Sequence, residues 1–164
     1  MKATFHKLND GWNAEPNAPL PSVEVQGEDV LLKFFVNPFR FPEFLDEEIG
    51  ILRFVKCERY RLSYLNDEGW HLGQCRFSRL APEWGQLYVV QGDADLLNAP
   101  NDWQSVCPQI GAGRHFLFYF RDNTFECVAE QCNIEPSEVN SLSRTRKKLA
   151  LAPEQSAIFR VAPE

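Results

Sequence analysis

Arginine is the residue type whose spacing in this chain first suggests chemistry. Arg53, Arg59 and Arg61 share one parity along a single predicted strand, and Arg76 and Arg79 follow on the next segment. A planar guanidinium grips a carboxylate or phosphate through two parallel N–H donors, so arginines gathered on one face of a sheet suit an anion. A second set alternates along Arg114–Glu130: His115 and Tyr119 on one strand, with Glu126 and Glu130 on the next. Side chains in a strand alternate between faces. His115, Tyr119, Glu126 and the arginines could therefore line one pocket. The competing use of the same arginines is pairing with the chain's own acids, Glu58, Glu126 and Glu130 among them.

The tryptophans form a third pattern. Trp12, Trp70, Trp84 and Trp103 each follow a turn-like run: Asn9-Asp10-Gly11, Asn66-Asp67-Glu68-Gly69, Pro82-Glu83 and Asn101-Asp102. Indole rings beside Asn and Asp make an amphipathic surface for sugar, peptide or protein; the alternative is that they plug the open ends of the fold.

Other chemistries lack their residues. His6, His71 and His115 are far apart, and no Cys-x-x-Cys pair is present. Cys127 and Cys132 are spaced unlike structural zinc ligands, so neither a metal nor another cofactor is expected. Nucleophile-elbow, phosphate-loop and dinucleotide-loop glycine patterns are also missing. The basic run Arg144-Thr145-Arg146-Lys147-Lys148 reads as a solvated helix face.

The elements that would hold these residues are strands. Phe116, Phe118, Phe120, Phe125, Cys127 and Ala129 lie on one side of a hairpin if the chain turns at Asp122-Asn123. That side is wholly apolar and predicts the wall of the main core. A two-residue turn sets Tyr119 opposite Glu126 and His115 opposite Glu130. Ser22–Gln26 and Asp29–Val36 read as a second hairpin around Gly27-Glu28. Ile49–Tyr64 is the longest strand signal, with Lys56 and Glu58 interrupting its apolar parity and predicting a bulge. Trp70–Arg79 and Gly85–Gln91 read as further strands, and Asp93–Leu97 as a short helix.

The expected fold is mainly β, an antiparallel sandwich or small barrel of about seven or eight strands. Residues 1–21, with Pro16, Pro19 and Pro21, read as an extended arm. Residues 22–132 make the β domain, and 133–164 a C-terminal helix and tail.

Composition limits the function. The chain has 164 residues, 44% hydrophobic and 13% aromatic, with a net charge of −6. It can bury a sizeable core, and its acidity argues against general binding of nucleic acid through phosphates. With no leading apolar run and no long apolar segment, neither a signal peptide nor a membrane partner is expected, and five cysteines suit a reducing cytoplasm. The leading expectation is a non-catalytic cytoplasmic module that binds another protein, an inhibitor or immunity-like role being one version of it. The second is a small-molecule-binding protein or enzyme that holds an anionic ligand with Arg53, Arg59 and Arg61 beside His115, Tyr119 and Glu126. The third is carbohydrate binding through the tryptophans.

Overall fold

A computed structural model describes residues 3–80, 83–92, 94–108, 111 and 113–136. The strands are β1 (Thr4–Lys7), β2 (Ser22–Gln26), β3 (Asp29–Phe35), β4 (Ile49–Ser63), β5 (Leu87–Gln91), β6 (Gln104–Ser105), β7 (Arg114–Tyr119) and β8 (Thr124–Glu135). Two one-turn helices, α1 (Asp67–His71) and α2 (Ala94–Asn98), lie in the connections. All eight strands belong to one open antiparallel sheet in the order β1-β5-β7-β8-β4-β3-β2, with β6 added to β4. The expected sandwich or closed barrel is therefore replaced by a single sheet with β1 and β2 at its edges.

The sheet stays open but curls. Flat strands are about 4.8 Å apart, so β3 and β7, three steps apart in the order, would be separated by about 14 Å. Yet the Phe34 and Phe118 ring centroids are 5.2 Å apart. One face is thus folded onto itself. Its core contains Val30, Leu32, Phe34, Leu52, Phe54, Phe116, Phe118, Phe120, Phe125, Cys127 and Ala129. Gly50 sits opposite Phe34 in the β3–β4 pair, and a Cβ there would meet Val36 at 2.8 Å and the Phe34 ring at 3.0 Å. Absence of a side chain at 50 makes room for that ring.

Across the curl runs the segment after β1. Leu8 N–H donates to Leu87 O, and Asn37 N–H donates to Asn13 O. Glu15 N–H donates to Phe35 O, and Phe35 N–H to Pro19 O. Buried Asn9 anchors it, donating to Trp12 O (2.8 Å) and Gln86 Oε1 (2.6 Å) and accepting from Leu87 N–H (2.9 Å). The expected arm over 1–21 is accordingly corrected. Its first part is sheet strand β1, because Phe5 and its neighbours pair with β5, and its prolines fall in the connection beyond.

The hairpin β7–β8 keeps the expected sides with a different register. Phe118 faces Phe125, Phe116 faces Cys127 and Tyr119 faces Thr124, so the connection is four residues long. Phe120 N–H donates to Asn123 O at 2.7 Å and closes it. A shift of two leaves every side chain on its face, which is why the aromatic wall survives the change. The bulge in β4 is where the interrupted parity places it: pairing with β8 shifts between Cys57 and Arg59, and Lys56 has φ 46°. β3 covers β4 only as far as Phe54, and β6 takes the same edge at Arg59 and Tyr60.

Residues 70–79 are not a strand. Asn66 Oδ1 accepts from Gly69 N–H at 2.8 Å and caps α1, and turns follow through Leu80. The expected C-terminal helix lies outside the described residues beyond 136, while Asn133–Glu135 close β8. Among the described residues, no helix is long and apolar enough to cross a membrane.

Candidate functional site

The second face of the sheet carries the polar groups. Glu126 points there because its neighbours Phe125 and Cys127 fill the first core. On one flank it is directly opposite Leu117, and His115 lies on the diagonal, with Nε2 2.7 Å from Glu126 Oε2. On the other flank it is directly opposite Arg61, whose Nη1 donates to Oε1 at 2.7 Å. Arg76, in the turns after α1, donates to Oε2 and, at 2.8 Å, to Leu97 O. A carboxylate 2% exposed is thus held by two guanidiniums and an imidazole.

Around this centre lies a second ring of groups. Asp102, in the loop before β6, accepts from Arg61 Nε at 2.8 Å and Nη2 at 3.1 Å. Trp103 lies beneath the Arg59 guanidinium at 4.7 Å and Arg61 at 5.9 Å, and meets the His115 ring edge-on at 5.8 Å. Arg59 also pairs with Glu58 at 3.7 Å and donates to Asn98 Oδ1. Three guanidiniums (Arg59, Arg61, Arg76) therefore face three carboxylates (Glu58, Asp102, Glu126). The buried polar atoms with no hydrogen bond of ordinary geometry among the described residues include His115 Nδ1, the Tyr119 hydroxyl and the indole nitrogens of Trp70 and Trp103. The Trp70 ring sits edge-on to Tyr119 at 5.7 Å.

Burial alone would raise the pKa of Glu126. The His115 hydrogen bond and charge, then Arg76 and Arg61, outweigh it and hold the carboxyl below its ordinary value. The Arg61 hydrogen bonds hold Asp102 low. Burial pushes the Cys75 thiol up, although its Sγ lies 3.6 Å from Thr124 Oγ1, so it stays a protonated small side chain. Burial likewise raises Tyr119.

Above this floor opens a cavity of about 600 Å³, lined by Arg61, Arg76, Glu126, Tyr119, Cys75, Thr124 and Asp102, with apolar walls from Leu65, Phe77, Pro100 and Leu117. The second apolar cluster, with Phe77, Tyr88, Leu117 and Tyr119, packs beside it.

Of the residues singled out by sequence, Arg61, Arg76, Tyr119 and Glu126 line the cavity, while Arg59, His115 and Trp103 support it from outside. Arg53 shares the face but lies toward the other end of β4, paired with Asp29 at 3.1 Å and with Glu135. Trp12 stacks on Phe34 in the first core. Trp70 and Trp84 pack on the second cluster, and Trp84 also borders a smaller cavity of about 260 Å³. No shared tryptophan surface results. Asp102 is the site residue that sequence reading missed. It stands beside Trp103 in a turn, and nothing in its neighbours marks its partner on β4.

Fold and site together define an all-antiparallel curled sheet with a buried ion cluster under an open cavity. In comparisons with protein-family models, curated proteins and solved structures, nothing matches this chain.

Proposed function

We propose that this protein binds a small anionic ligand in the cavity over the second face of the sheet. The observation that carries the reading is the convergence of Arg61 and Arg76 on buried Glu126 at the cavity floor. Buried ion pairs seldom stabilise a fold more than apolar packing of the same volume, so charges kept beneath an opening favour recognition over simple stability. The Arg76–Glu126 contact also ties the turns at Arg76 to the sheet, so that wall is set before a ligand arrives. Ligand-observed NMR against small carboxylates, phosphate, sulfate and matched neutral amides tests it. Acids are expected to bind and Arg61→Gln to abolish binding; an unresponsive wild-type protein sinks the reading.

A second reading, a protein-interaction module, is favoured by Tyr64, 90% exposed at the cavity mouth, and by the net charge of −6. Tyr64→Ala would then remove a partner retained by the wild-type protein. Retention unchanged by that substitution counts against Tyr64 as the anchor.

A further inference from the structure

We infer that the ligand is a monocarboxylic acid with an apolar body, and that its carboxylate takes the edge of Arg61 held by Asp102 in this structure. The inference rests on the anion-binding reading above and names the class of anion. Arg61 uses two sides. Its Nη1 is committed to Glu126, which is 2% exposed and has His115 and Arg76 as further partners. Its Nε and Nη2 donate side by side to the two oxygens of Asp102, at 2.8 and 3.1 Å. That pair of bonds is the fork by which a guanidinium receives a planar, two-oxygen head. Asp102 is an internal sample of the head the fork accepts.

The two carboxylates on Arg61 are unequal in their hold. Asp102 stands on a connecting loop with its side chain 53% exposed, so it can return to water at little expense. Glu126 cannot. Exchange of Asp102 for a ligand monoanion leaves the charge facing Arg61 unaltered. A phosphate dianion would bring an unmatched charge into a partly buried cluster, which disfavours it. The rest of the ligand would meet Leu65, Phe77, Pro100 and Leu117, an apolar lining that suits a short aliphatic or aryl body.

The test is calorimetric titration of the full chain with acetate, hexanoate and phenylacetate, with phenylacetamide and inorganic phosphate alongside. Wild type, Asp102→Asn and Arg61→Lys are compared. Asp102→Asn keeps the shape of the side chain and removes the competing charge. It is expected to tighten hexanoate and phenylacetate by about five- to tenfold, the size of a bidentate exposed ion pair plus relief of repulsion. Arg61→Lys keeps the charge, loses the fork and should weaken both at least about tenfold. Phenylacetamide should bind none of the three proteins. Acids that bind wild type and Asp102→Asn equally, or phosphate that binds tighter than either acid, would overturn the inference and leave anion binding standing. No heat with any anion, in wild type or in Asp102→Asn, would overturn both.

Discussion

Glu126 concentrates the energetics of the second face. Replacing it by Gln leaves Arg61 and Arg76 beside a neutral amide in a buried setting, and breaking a buried pair in this way costs about 3–5 kcal/mol. Denaturant unfolding of Glu126→Gln measures that loss. The carboxyl's folded pKa lies below its ordinary value of 4.5, so its stabilising contribution is complete above that range and disappears as pH falls through the folded value. Unfolding midpoints of the wild type should therefore fall as the pH is taken below 4.5, with a flatter acid limb in Glu126→Gln. Tyr119→Phe gives the opposite case. Among the described residues its buried hydroxyl makes no hydrogen bond of ordinary geometry, so its removal should change stability by less than about 1 kcal/mol or raise it. At this scale the sequence showed which groups share a face: alternation alone put His115, Tyr119 and Glu126 together. It did not show that Arg61 stands opposite Glu126, because that pairing joins strands separated by α1, β5, α2, β6 and β7.

Among the elements, β4 has the largest share in placing the site. Its irregularity between Lys56 and Arg59 lets one strand serve β3 with its first half and β6 with its second. Lys56 takes the left-handed conformation at φ 46° and donates its N–H to Asp29 Oδ1 at 2.9 Å. A β-branched residue cannot hold that backbone without strain, so Lys56→Val should cost about 1–3 kcal/mol. Lys56→Gly should be neutral within about 1 kcal/mol. Thermal unfolding of the two variants separates a conformational demand from a loss of the lysine charge. The bulge was readable because charged residues broke an apolar parity. The hairpin register was not, since Asp122-Asn123 suits the four-residue connection as well as a two-residue turn. The strand expected over 70–79 failed for a related reason: the Asn66 side chain satisfies Gly69 N–H and starts α1 where composition suggested only a turn.

For the whole molecule, alternation marked strands but could not say whether they form two layers or one sheet folded upon itself. Both architectures bury one face of each strand and can bring rings such as Phe34 and Phe118 together; the unbroken strand pairing from β1 to β2 distinguishes them. The expected sandwich erred at this level, although β2 matches in full and β3 and β4 to within one residue at the end; β1 and β6 were not anticipated as strands. Asn9 tests the bridge across the curl. Asn9→Ala removes two donated bonds and leaves Leu87 N–H buried without its acceptor, an expected loss of about 2–4 kcal/mol. Hydrogen exchange should report faster exchange at Leu87 and Phe35 than in the wild type. Slower or unchanged exchange at both would mean the connection carries no mechanical role.

The strand order has a temporal meaning too. β1 emerges from the ribosome first, yet its neighbour β5 ends at Gln91, and β4 must wait for β8 to be synthesised. Until then the phenylalanines of β3 and β4 lack the partners that later shield them. A nascent chain of this topology is committed to late, distant pairings, which predicts slower folding than a sheet built only of sequential hairpins.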